Sequence, residues 1–491
     1  MDIYTVEQVR ELERVAKEEL SISERTLMQC AGAAALGCLS EHFGSPKRIA
    51  IVCGTGNNGG DGYVLGRLAY ARGIDVRVWQ VGNADHLKDE ALEAAQACYD
   101  AGVPVDDFAG FDDANTDVIV DAIFGTGLDR PVEGEALHAI ERMNASAASI
   151  LSLDVPSGLN ADTGRVLGDA VCADATVTFL GLKPGLFTYD GIDYAGKVYF
   201  DSLQVPAMIF DHIPAQIRRV NYQEVKTWFM PRDKNTHKGN YGHVLIVGGN
   251  KGYSGAVQLA ALAALRSGAG LVSVATHPAH AATLNVSHPE MMCHGIESAN
   301  DLTALIEKAD VIVLGPGLGQ DDWAKQCFNE AVQANKPKVI DADALNLLAQ
   351  QPMSFDKTSV VLTPHPGEAS RLLNQSGEDV QRDRFQAIRV LQDKYHATCI
   401  LKGAGTLIAD HDAQLHLCTD GNPGMASGGM GDLLSGIIAG LVAQQFDFDM
   451  AVNAAVAVHA HAGDNVAKET GERGVIATDL LPEIHRLVNP A

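Results

Sequence analysis

The chain has 491 residues, more than one hydrophobic core usually organises, so two domains are expected. Its 37 basic and 62 acidic side chains give a formal net charge of −25, which argues against a nucleic acid or an anionic membrane surface as a partner. Nine cysteines without a CxxC pair indicate neither a zinc site nor a disulfide framework, and no apolar run reaches the roughly 20 residues of a membrane helix, so we expect a cytoplasmic protein without a membrane partner.

Helical and strand patterns alternate through the first half of the chain. Two amphipathic helices are predicted over residues 5–20 and 24–43, because apolar residues recur there at helical spacing among charges. Buried strands then alternate with glycine-rich turns and helical stretches, which predicts a parallel sheet with helices on both faces. The predicted strands are RIAIVCG (48–54), VRVWQVG (76–82), DVIVDAIFG (117–125) and SILSLDVPSG (149–158), with GTGNNGGDG (54–62) as a loop and YVLGRLAYARG (63–73) as a helix.

A second α/β series follows a proline-bearing stretch near residues 205–238. It runs from GHVLIVGG (242–249) through an alanine-rich helix to CILKGAGTLIA (399–409). We therefore expect two α/β domains, over residues 1–217 and 218–491.

Each candidate site in the sequence is predicted to follow one pattern: a strand, a glycine-rich turn, then a helix. Ligands of open α/β sheets bind outside the carboxyl ends of the strands, where backbone amides favour anionic groups. The first turn contains GxGxxG at residues 54–59, which suggests dinucleotide binding, although a structural turn is the alternative. A dehydrogenase would need an acid after the second strand, where the chain has Gln80 to Asn83. The amide oxygens of Asn57 and Asn58 could serve a cation or a ribose.

Carboxylates end two further predicted strands, Asp121 after DVIV and Asp154 after SILSL. Each could simply cap the helix that follows. Together, however, Asn58, Asp121 and Ser157 could offer oxygen ligands to a hard monovalent cation, which would leave Asp154 for proton transfer.

Two glycine turns of the second half, GPGLG (315–319) and KGAGT (402–406), follow strands and are predicted to expose backbone amides. Structural turns are again the alternative. Lys402 adds a mobile positive charge that suits phosphate. His365 lies between two prolines that stiffen its loop, so it is either a positioned ligand contact or a helix cap.

The stretch GGMGD (428–432) precedes an apolar helix. Its glycines let a phosphate reach successive amides, and the helix N-terminus adds positive potential beside Asp432. An N-cap aspartate explains Asp432 equally well. Because the Lys402 turn lies upstream and the chain has no Walker motif, the pattern resembles the anion hole and base of ribokinase-like kinases, in which a carboxylate deprotonates a hydroxyl.

In order along the whole chain, the motifs resemble those of bifunctional NAD(P)H-hydrate repair enzymes, in which an epimerase domain is joined to an ADP-dependent dehydratase domain. The resemblance implies an N-terminal Rossmann-like three-layer α/β/α domain and a C-terminal ribokinase-like α/β domain. It rests on YTVEQVRELE, LMQCAG, GTGNNGGDG, VDAIFGTGLDRP and LDVPSGLNADTG in the first half, and on THKGNYGHVLIVGG, GPGLG, DADAL, TPHPGE, LKGAGT and NPGMASGGMGDLLSG in the second.

The resemblance also implies which residues bind and react, with Asp432 and Asp154 as the catalytic groups. In the epimerase domain, the hydrated dinucleotide would contact Asn57, Asn58, Gly59, Gly60, Asp61, Gly125, Thr126, Gly127, Leu128, Asp129, Arg130, Pro131 and Asp154, and potassium would bind Asn58, Asp121 and Ser157. In the dehydratase domain, the hydrate would contact Gly255, Ala256, Gly317, Gly319, His365 and Asp432, and the nucleotide would contact Lys402, Gly403, Ala404, Gly405, Thr406 and Gly431.

The implied chemistry agrees with these residues. Water added across the C5–C6 double bond of the reduced nicotinamide leaves a C6 hydroxyl in two epimers, and phosphorylation converts that hydroxyl into a leaving group. Asp432 would take the hydroxyl proton, Lys402 and the amides of residues 428–431 would stabilise the phosphoryl group, and magnesium is expected with ADP or ATP. The dehydratase would act on the S epimer, which the epimerase would supply from the R epimer.

Two other functions stay open at this point. The second half could be a kinase for a vitamin or sugar hydroxyl, and the first half a nucleotide-binding scaffold, although the presence of Asn58, Asp121, Asp154 and Ser157 favours catalysis. A homo-oligomer is expected, with a tetramer favoured.

Overall fold

The computed structural model describes residues 2–355 and 360–489 of the chain. The chain divides into two compact units, Met1–Arg218 and Arg219–Ala491. This division falls one residue after the predicted boundary. Within the described ranges, no helix combines the length and the apolar character needed to cross a membrane.

The first unit is built on a parallel sheet flanked by helices. Its strands are β1 (Arg48–Cys53), β2 (Asp75–Gln80), β3 (Val105–Asp107), β4 (Val118–Ala122), β5 (Ser149–Leu153), β6 (Ala175–Phe179) and β7 (Lys197–Asp201), and its helices are α1 (Val6–Leu20), α2 (Glu24–His42), α3 (Asn57–Ala71), α4 (Asp89–Asp100), α5 (Gly134–Asn144), α6 (Gly191–Tyr194) and α7 (Ile209–His212). Over the described residues the strand order is β3-β2-β1-β4-β5-β6-β7, with parallel neighbours throughout.

Alternate residues of β1 point into two separate apolar cores. Ile49 and Ile51 pack in a core with residues of α2 and α3, whereas Ala50 and Val52 pack in a core with residues of α5. Because side chains alternate between the faces of a strand, helices must cover both faces of this sheet. The predicted three-layer α/β/α arrangement is confirmed.

The two helices predicted at the N-terminus are also confirmed. Helix α1 starts with a capping box in which the Thr5 hydroxyl accepts a hydrogen bond from the Gln8 amide, and the Gln8 side chain accepts one from the Thr5 amide. Val9, Leu12 and Val15 are buried, so the three-residue apolar spacing marks the face that packs on the core.

The loop predicted over residues 54–62 is wrong in part, because α3 already begins at Asn57. The glycines of this stretch do not adopt the left-handed conformations that would end a helix. They allow close packing instead, since a Cβ on Gly59 would lie 2.0 Å from the Gly54 carbonyl oxygen and one on Gly60 would lie 2.5 Å from Met28 Cε. As a result, residues 57–61 occupy the first turns of a helix at the carboxyl end of β1.

The second unit contains a larger mixed sheet. Its elements in chain order are β8 (Ile217–Val220, across the division), α8 (Tyr222–Val225), β9 (His243–Val247), α9 (Ser254–Arg266), β10 (Leu271–Thr276), α10 (Pro278–Ala281), β11 (Met292–Gly295), α11 (Ala299–Lys308), β12 (Val311–Leu314), α12 (Asp322–Gln333), β13 (Lys338–Ile340), α13 (Ala342–Gln350), β14 (Val360–Leu362), α14 (Pro366–Leu373), α15 (Gly377–Arg382), α16 (Arg384–Tyr395), β15 (Thr398–Leu401), β16 (Thr406–Ala409), β17 (Leu415–Cys418), α17 (Met430–Ala443), α18 (Phe448–Thr470) and α19 (Leu480–Leu487).

In the described residues this sheet has the order β11-β10-β9-β12-β13-β14-β15-β16-β17-β8. The strands from β11 to β15 pair in parallel, whereas β16 is antiparallel to both of its neighbours, β15 and β17. Helices α9, α17, α18 and α19 share one apolar core with the sheet.

The antiparallel pairing corrects one predicted pattern. Residues 402–405 connect β15 to β16 as a hairpin turn, so no helix follows the KGAGT motif. Gly403 and Gly405 have φ values of 138° and 67°, which only glycine adopts readily. These conformations reverse the chain where the sequence pattern predicted a helix.

Candidate active sites

A cavity of about 740 Å³ lies at the carboxyl ends of the first unit's strands. Asn58 follows β1, Gly125 follows β4, Asp154 follows β5 and Lys183 follows β6, and all four line the cavity. Residues of α1 and α2 complete its wall. The size and mixed polarity of the cavity suit a small-molecule ligand.

The structure brings most, but not all, of the predicted epimerase residues to this cavity. Gly59 and Gly60 are buried within α3, and Asp129, Arg130 and Pro131 are exposed residues that do not contribute to the cavity wall. The predicted residues that do line it are Asn57, Asn58, Asp61, Gly125, Thr126, Gly127, Leu128 and Asp154.

A buried lysine holds the carboxylate of Asp154. Lys183 is 1% exposed, and its Nζ lies 2.5 Å from Asp154 Oδ1. The same ammonium group donates to the Phe179 carbonyl at 2.6 Å and to Thr178 Oγ1 at 3.1 Å, so its position is fixed. Asp154 has a φ of 67°, an uncommon value for a residue other than glycine. Such a conformation is often found where function demands a particular side-chain direction.

Gly125 leaves space around the second carboxylate oxygen of Asp154, Oδ2. A Cβ at this position would lie 3.0 Å from Asp154 Oδ2 and 3.6 Å from the Asn58 side chain. The absence of a side chain therefore leaves Oδ2 open to a ligand. Asp61 lies in the same cavity, where burial and the negative charge of Asp154 raise its pKa well above the ordinary value.

Two of the three predicted potassium ligands, Asp121 and Ser157, are in direct contact. Asp121 is fully buried and accepts hydrogen bonds from Ser157 Oγ at 2.6 Å, from the Ser157 amide at 2.8 Å and from Ser152 Oγ at 2.8 Å. Ser157 Oγ also accepts from the amide of Phe124, the residue beside Gly125. Both polar atoms of the Asn58 side chain are inaccessible and have no hydrogen-bond partner in the part of the chain that the structure describes.

The second unit has a charged cluster around Lys402. Its Nζ lies 2.9 Å from Asp341 Oδ1 and 3.8 Å from Glu368 Oε2, and Ser435 Oγ donates to the other oxygen of Asp341 at 2.8 Å. Although burial opposes it, Lys402 and these hydrogen bonds keep the pKa of Asp341 below its ordinary value. A Cβ on Gly431 would lie 3.2 Å from Lys402 Nζ, so the start of α17 closely approaches the lysine.

Asp432 is the third residue of α17. The N-cap is Gly429, with a φ of 91° and no side-chain capping bond, so the alternative of Asp432 as the N-cap is wrong. Burial and the negative charge of Asp341 raise the pKa of Asp432 to about 7, against the opposing effect of Lys402. A carboxylate with a pKa near neutrality is suited to accept a proton.

The pKa of Glu368 is raised in a similar way. Its side chain is almost completely buried, and burial raises its pKa to about 7 while Lys402 opposes the shift. Glu368 Oε2 accepts the amide hydrogen of His365 at 2.8 Å, and His365 Nδ1 accepts that of Gly367 at 3.0 Å. His365 is thus the N-cap of α14, which confirms the capping alternative; its contact with the hydrate stays a prediction.

The predicted hydrate-contacting glycines surround the N-terminal end of α9. Gly317 has a φ of 55°, and a Cβ there would lie 2.7 Å from the Tyr253 carbonyl oxygen and 3.2 Å from Ala256 Cβ. The amide of Gly319 donates to Asp343 Oδ2 at 2.8 Å, and the charge of Asp343 contributes to the raised pKa of Asp432. The Gly317 turn therefore packs against the residues that begin α9, whereas Gly255 is exposed, with open space where a Cβ would be.

The predicted nucleotide turn, residues 402–406, rests on a buried arginine. Arg384 is 1% exposed, and its Nη2 donates to the carbonyl oxygens of Gly405 at 3.0 Å and Leu401 at 3.3 Å. A Cβ on Gly403 would lie 2.6 Å from Arg384 Nη1. The Arg384 guanidinium group therefore packs against the buried side of the turn and fixes it. Within the turn, Thr406 Oγ1 donates to the Gly403 carbonyl oxygen at 3.1 Å.

Comparisons with known proteins cover both units. The family described as "YjeF-related protein N-terminus" matches residues 24–185, and the family described as "NAD(P)H-hydrate dehydratase" matches residues 244–486. The bifunctional NAD(P)H-hydrate repair enzyme Nnr of Coxiella burnetii is 47% identical, over 99% of this chain and 99% of that protein. The chain belongs to the family of bifunctional NAD(P)H-hydrate repair enzymes.

Two further proteins are similar to the whole chain or to part of it. The repair enzyme of Escherichia coli is 40% identical, over 99% of this chain and 94% of its own length. A solved ribokinase-like superfamily protein from Enterococcus faecalis is 34% identical and superposes with a TM-score of 0.51, over 55% of this chain and 94% of that chain. The predicted family and the ribokinase-like fold are confirmed.

Four charged residues in this member of the repair-enzyme family were missed by sequence reasoning. The sequence carries a weak signal for three of them: Lys183 follows a strand in LGLKPG, Asp341 ends a strand in KVID, and Glu368 closes TPHPGE. Arg384 gives no such signal, because it lies within a helix whose sequence resembles any amphipathic helix.

Proposed function

We propose that the first unit interconverts the R and S epimers of NAD(P)H hydrate and that the second dehydrates the S epimer to NAD(P)H at the expense of ADP or ATP, with AMP and phosphate as the products from ADP. Membership of the repair-enzyme family supports both activities. The observation that carries the second is the placement of Asp432, with a pKa near 7, at the start of α17 beside Lys402.

In the proposed dehydration, Asp432 takes the proton of the C6 hydroxyl as that oxygen attacks the terminal phosphoryl group of the nucleotide. Lys402 and the backbone amides of residues 428–431 stabilise the negative charge on the phosphoryl oxygens during the transfer. The lone pair of the ring nitrogen then expels phosphate from C6, and loss of a proton from C5 restores the double bond. Phosphorylation is needed because hydroxide is a poor leaving group.

The residues present fit a magnesium ion bound with the nucleotide. Magnesium is usually held by one or two carboxylates plus the substrate phosphates rather than by a cage of protein ligands. Accordingly, the described residues contain no group of three or more His, Cys, Asp or Glu side chains placed to hold a metal by themselves. Glu368, buried and 3.8 Å from Lys402, would provide the carboxylate. The ion would neutralise charge on the phosphates when bound.

In the proposed epimerisation, Asp154 exchanges a proton with the C6 hydroxyl or with the water that replaces it. Lys183 orients the carboxylate and balances its charge, and the open Oδ2 faces the ligand space next to Gly125. These contacts favour Asp154 over the other carboxyls of the cavity as the base.

Potassium fits the set formed by Asn58, Asp121 and Ser157. Buried polar atoms without partners are uncommon, and the Asn58 amide has two of them. The fully buried Asp121 carboxylate likewise has no basic side chain bonded to it in the described residues. A monovalent cation would satisfy both features and would tie the start of α3 to the turns after β4 and β5.

Recovery of reduced-nicotinamide absorbance from a mixed-epimer hydrate tests both activities together. With ADP and magnesium, we expect complete recovery; with a separate second unit, recovery should stop once the S epimer is consumed, apart from slow spontaneous epimerisation. A stable phosphorylated product without regained NADH would instead identify a small-molecule kinase. If residues 1–218 fold but do not interconvert the epimers, the first unit is a binding scaffold.

A further inference from the structure

A buried carboxylate lies at the centre of the second unit's site. Asp341 directly follows β13, is 1% exposed, and has no role in the dehydration proposed above. Its side chain and its backbone contact three different parts of the site. Resting on the proposed dehydratase activity, we infer that Asp341 is a positioning residue, which holds Lys402 against the start of α17 and so sets the lysine beside Asp432.

The first contact of Asp341 is its ion pair with Lys402. Lys402 Nζ lies 2.9 Å from Asp341 Oδ1, whereas it lies 3.8 Å from the nearest oxygen of Glu368. A lysine has a long, flexible side chain, so its ammonium group needs a fixed partner to keep one position. Asp341 is that partner, because its side chain is buried while that of Lys402 remains 20% exposed and open to a ligand.

The second contact of Asp341 is with α17, the helix that carries Asp432. The fully buried Ser435 donates from its Oγ to Asp341 Oδ2 at 2.8 Å. Ser435 follows Asp432 by three residues, so the two side chains are neighbours on the helix surface. A Cβ on Gly431 would lie 3.2 Å from Lys402 Nζ and 3.6 Å from Asp341 Oδ2. The two oxygens of one carboxylate therefore join the lysine to the helix of the base.

The third contact fixes the backbone of Asp341. Its amide donates to the Leu314 carbonyl oxygen at 3.0 Å, and a Cβ on Gly315 would lie 1.8 Å from the Asp341 carbonyl oxygen. The turn of residues 315–319, which contains predicted hydrate contacts, thus packs directly on Asp341. The next residue, Ala342, has a φ of 49°, which is uncommon for a residue with a side chain. Such a conformation persists where the surrounding contacts hold it, as they do here.

The charge of Asp341 also acts on Asp432. Burial raises the pKa of Asp432, and the negative charge of Asp341 raises it further. Replacement of Asp341 by a neutral residue therefore has two separable effects: Lys402 loses its fixed partner, and the pKa of Asp432 falls. The charged and titratable groups around the start of α17 are Asp341 after β13, Asp343 on α13, Glu368 on α14, Lys402 after β15 and His459 on α18.

The test is a double-mutant cycle of Asp341→Asn and Lys402→Met in the full chain, with pure S hydrate, magnesium and saturating ADP. The dehydration kcat is taken from the alkaline limit of each pH profile, where Asp432 is ionised. We expect Asp341→Asn alone to lower this kcat on the order of 10-fold. In the Lys402→Met background the same change should alter it by less than about twofold, because no lysine is left to position.

A neighbouring acid provides the matched control. Asp343 also raises the pKa of Asp432, but in the described residues its carboxylate is not within ion-pair distance of Lys402. The effects of Asp343→Asn and Lys402→Met on kcat should therefore multiply. In Asp341→Asn the acidic limb of the kcat profile should move to lower pH, because a negative charge near Asp432 has been removed.

Three outcomes would overturn the inference. The first is an Asp341→Asn kcat equal to that of the wild type. The second is a loss that multiplies with that of Lys402→Met, since this would mark a structural role that is independent of the lysine. The third is a loss that a higher magnesium concentration restores, since this would identify Asp341 as a ligand of the ion.

Removal of one partner from a buried ion pair is destabilising, so circular dichroism checks the fold of each variant. If Asp341→Asn does not fold, Asp341→Glu replaces it, because glutamate keeps the charge but displaces the carboxylate. A lower kcat that disappears in the Lys402→Met background supports the role, and a wild-type kcat contradicts it. A wild-type chain that regains no NADH from S hydrate would instead refute the dehydratase activity itself.

Discussion

Replacement of Asp432 by asparagine separates the chemistry of the second unit from its stability. Asparagine keeps the size of the side chain but cannot take the C6 hydroxyl proton. Loss of a general base typically lowers a rate on the order of 10²–10⁴-fold, or about 3–5 kcal/mol in activation free energy. We expect Asp432→Asn to lose this much in kcat for dehydration, while the dissociation constant for ADP changes little because Lys402 and the amides remain.

The same change should stabilise the folded chain. The pKa of Asp432 rises from an ordinary value of 3.8 to about 7, which corresponds to about 4 kcal/mol of free energy that disfavours the ionised form in the folded state. The folded state binds this proton more tightly than the unfolded state does. The stability that the bound proton provides is therefore complete below the unfolded pKa and is lost as the pH rises through the folded pKa. Asp432→Asn should therefore unfold at a higher temperature than the wild type at about pH 8, with a gain that shrinks towards about pH 4.

Two measurements check this prediction: absorbance recovery from pure S hydrate with saturating ADP, and thermal unfolding across the pH range. Asp322→Asn is a matched control, because Asp322 is an exposed acid in the first turn of α12. The control should match the wild type in both. A rate for Asp432→Asn within about threefold of the wild type would remove Asp432 as the base. A lower melting point at about pH 8 would refute the charge balance described for the Lys402 cluster.

Three other variants test the remaining assignments. Lys402→Met should lower kcat for dehydration on the order of 10²-fold and raise the KM for the nucleotide, as measured by steady-state kinetics; an unchanged KM would place the phosphates elsewhere. Asn58→Leu should abolish the dependence of epimerisation on potassium concentration, and a wild-type rate that is equal in sodium and potassium buffers would contradict the cation site. Asp154→Asn should lower epimerisation on the order of 10²–10⁴-fold while dehydration of S hydrate continues; parallel loss of both activities would indicate misfolding.

Periodicity predicted the regular parts of the fold well, because strands and amphipathic helices have local signatures. The spacing of Val9, Leu12 and Val15 was enough to place α1, and the strand-end acids Asp121 and Asp154 followed from the strand pattern. Glycine-rich stretches were predicted less well. The same residue type serves close packing at Gly59 and left-handed backbone at Gly403, and composition does not distinguish the two uses.

Ion pairs between residues that are distant in the chain could not be predicted from the sequence. The ion pair between Asp154 and Lys183, and that between Asp341 and Lys402, join residues far apart in the chain that meet only because their strands end at one edge of a sheet. The pKa of Asp432 depends on the same long-range arrangement. Residue patterns and the family resemblance together gave Asp432 and Asp154 their predicted roles, but only the fold shows which charges surround them.

The left-handed backbone at Asp154 limits which substitutions the position admits. Glycine, asparagine and aspartate accept a φ near 67° at the lowest cost, and of these only aspartate can exchange a proton. A relative that carries asparagine or glycine here would keep the shape of the domain without its acid. The residue type at position 154 thus distinguishes catalytic domains of this kind from domains that only bind a ligand.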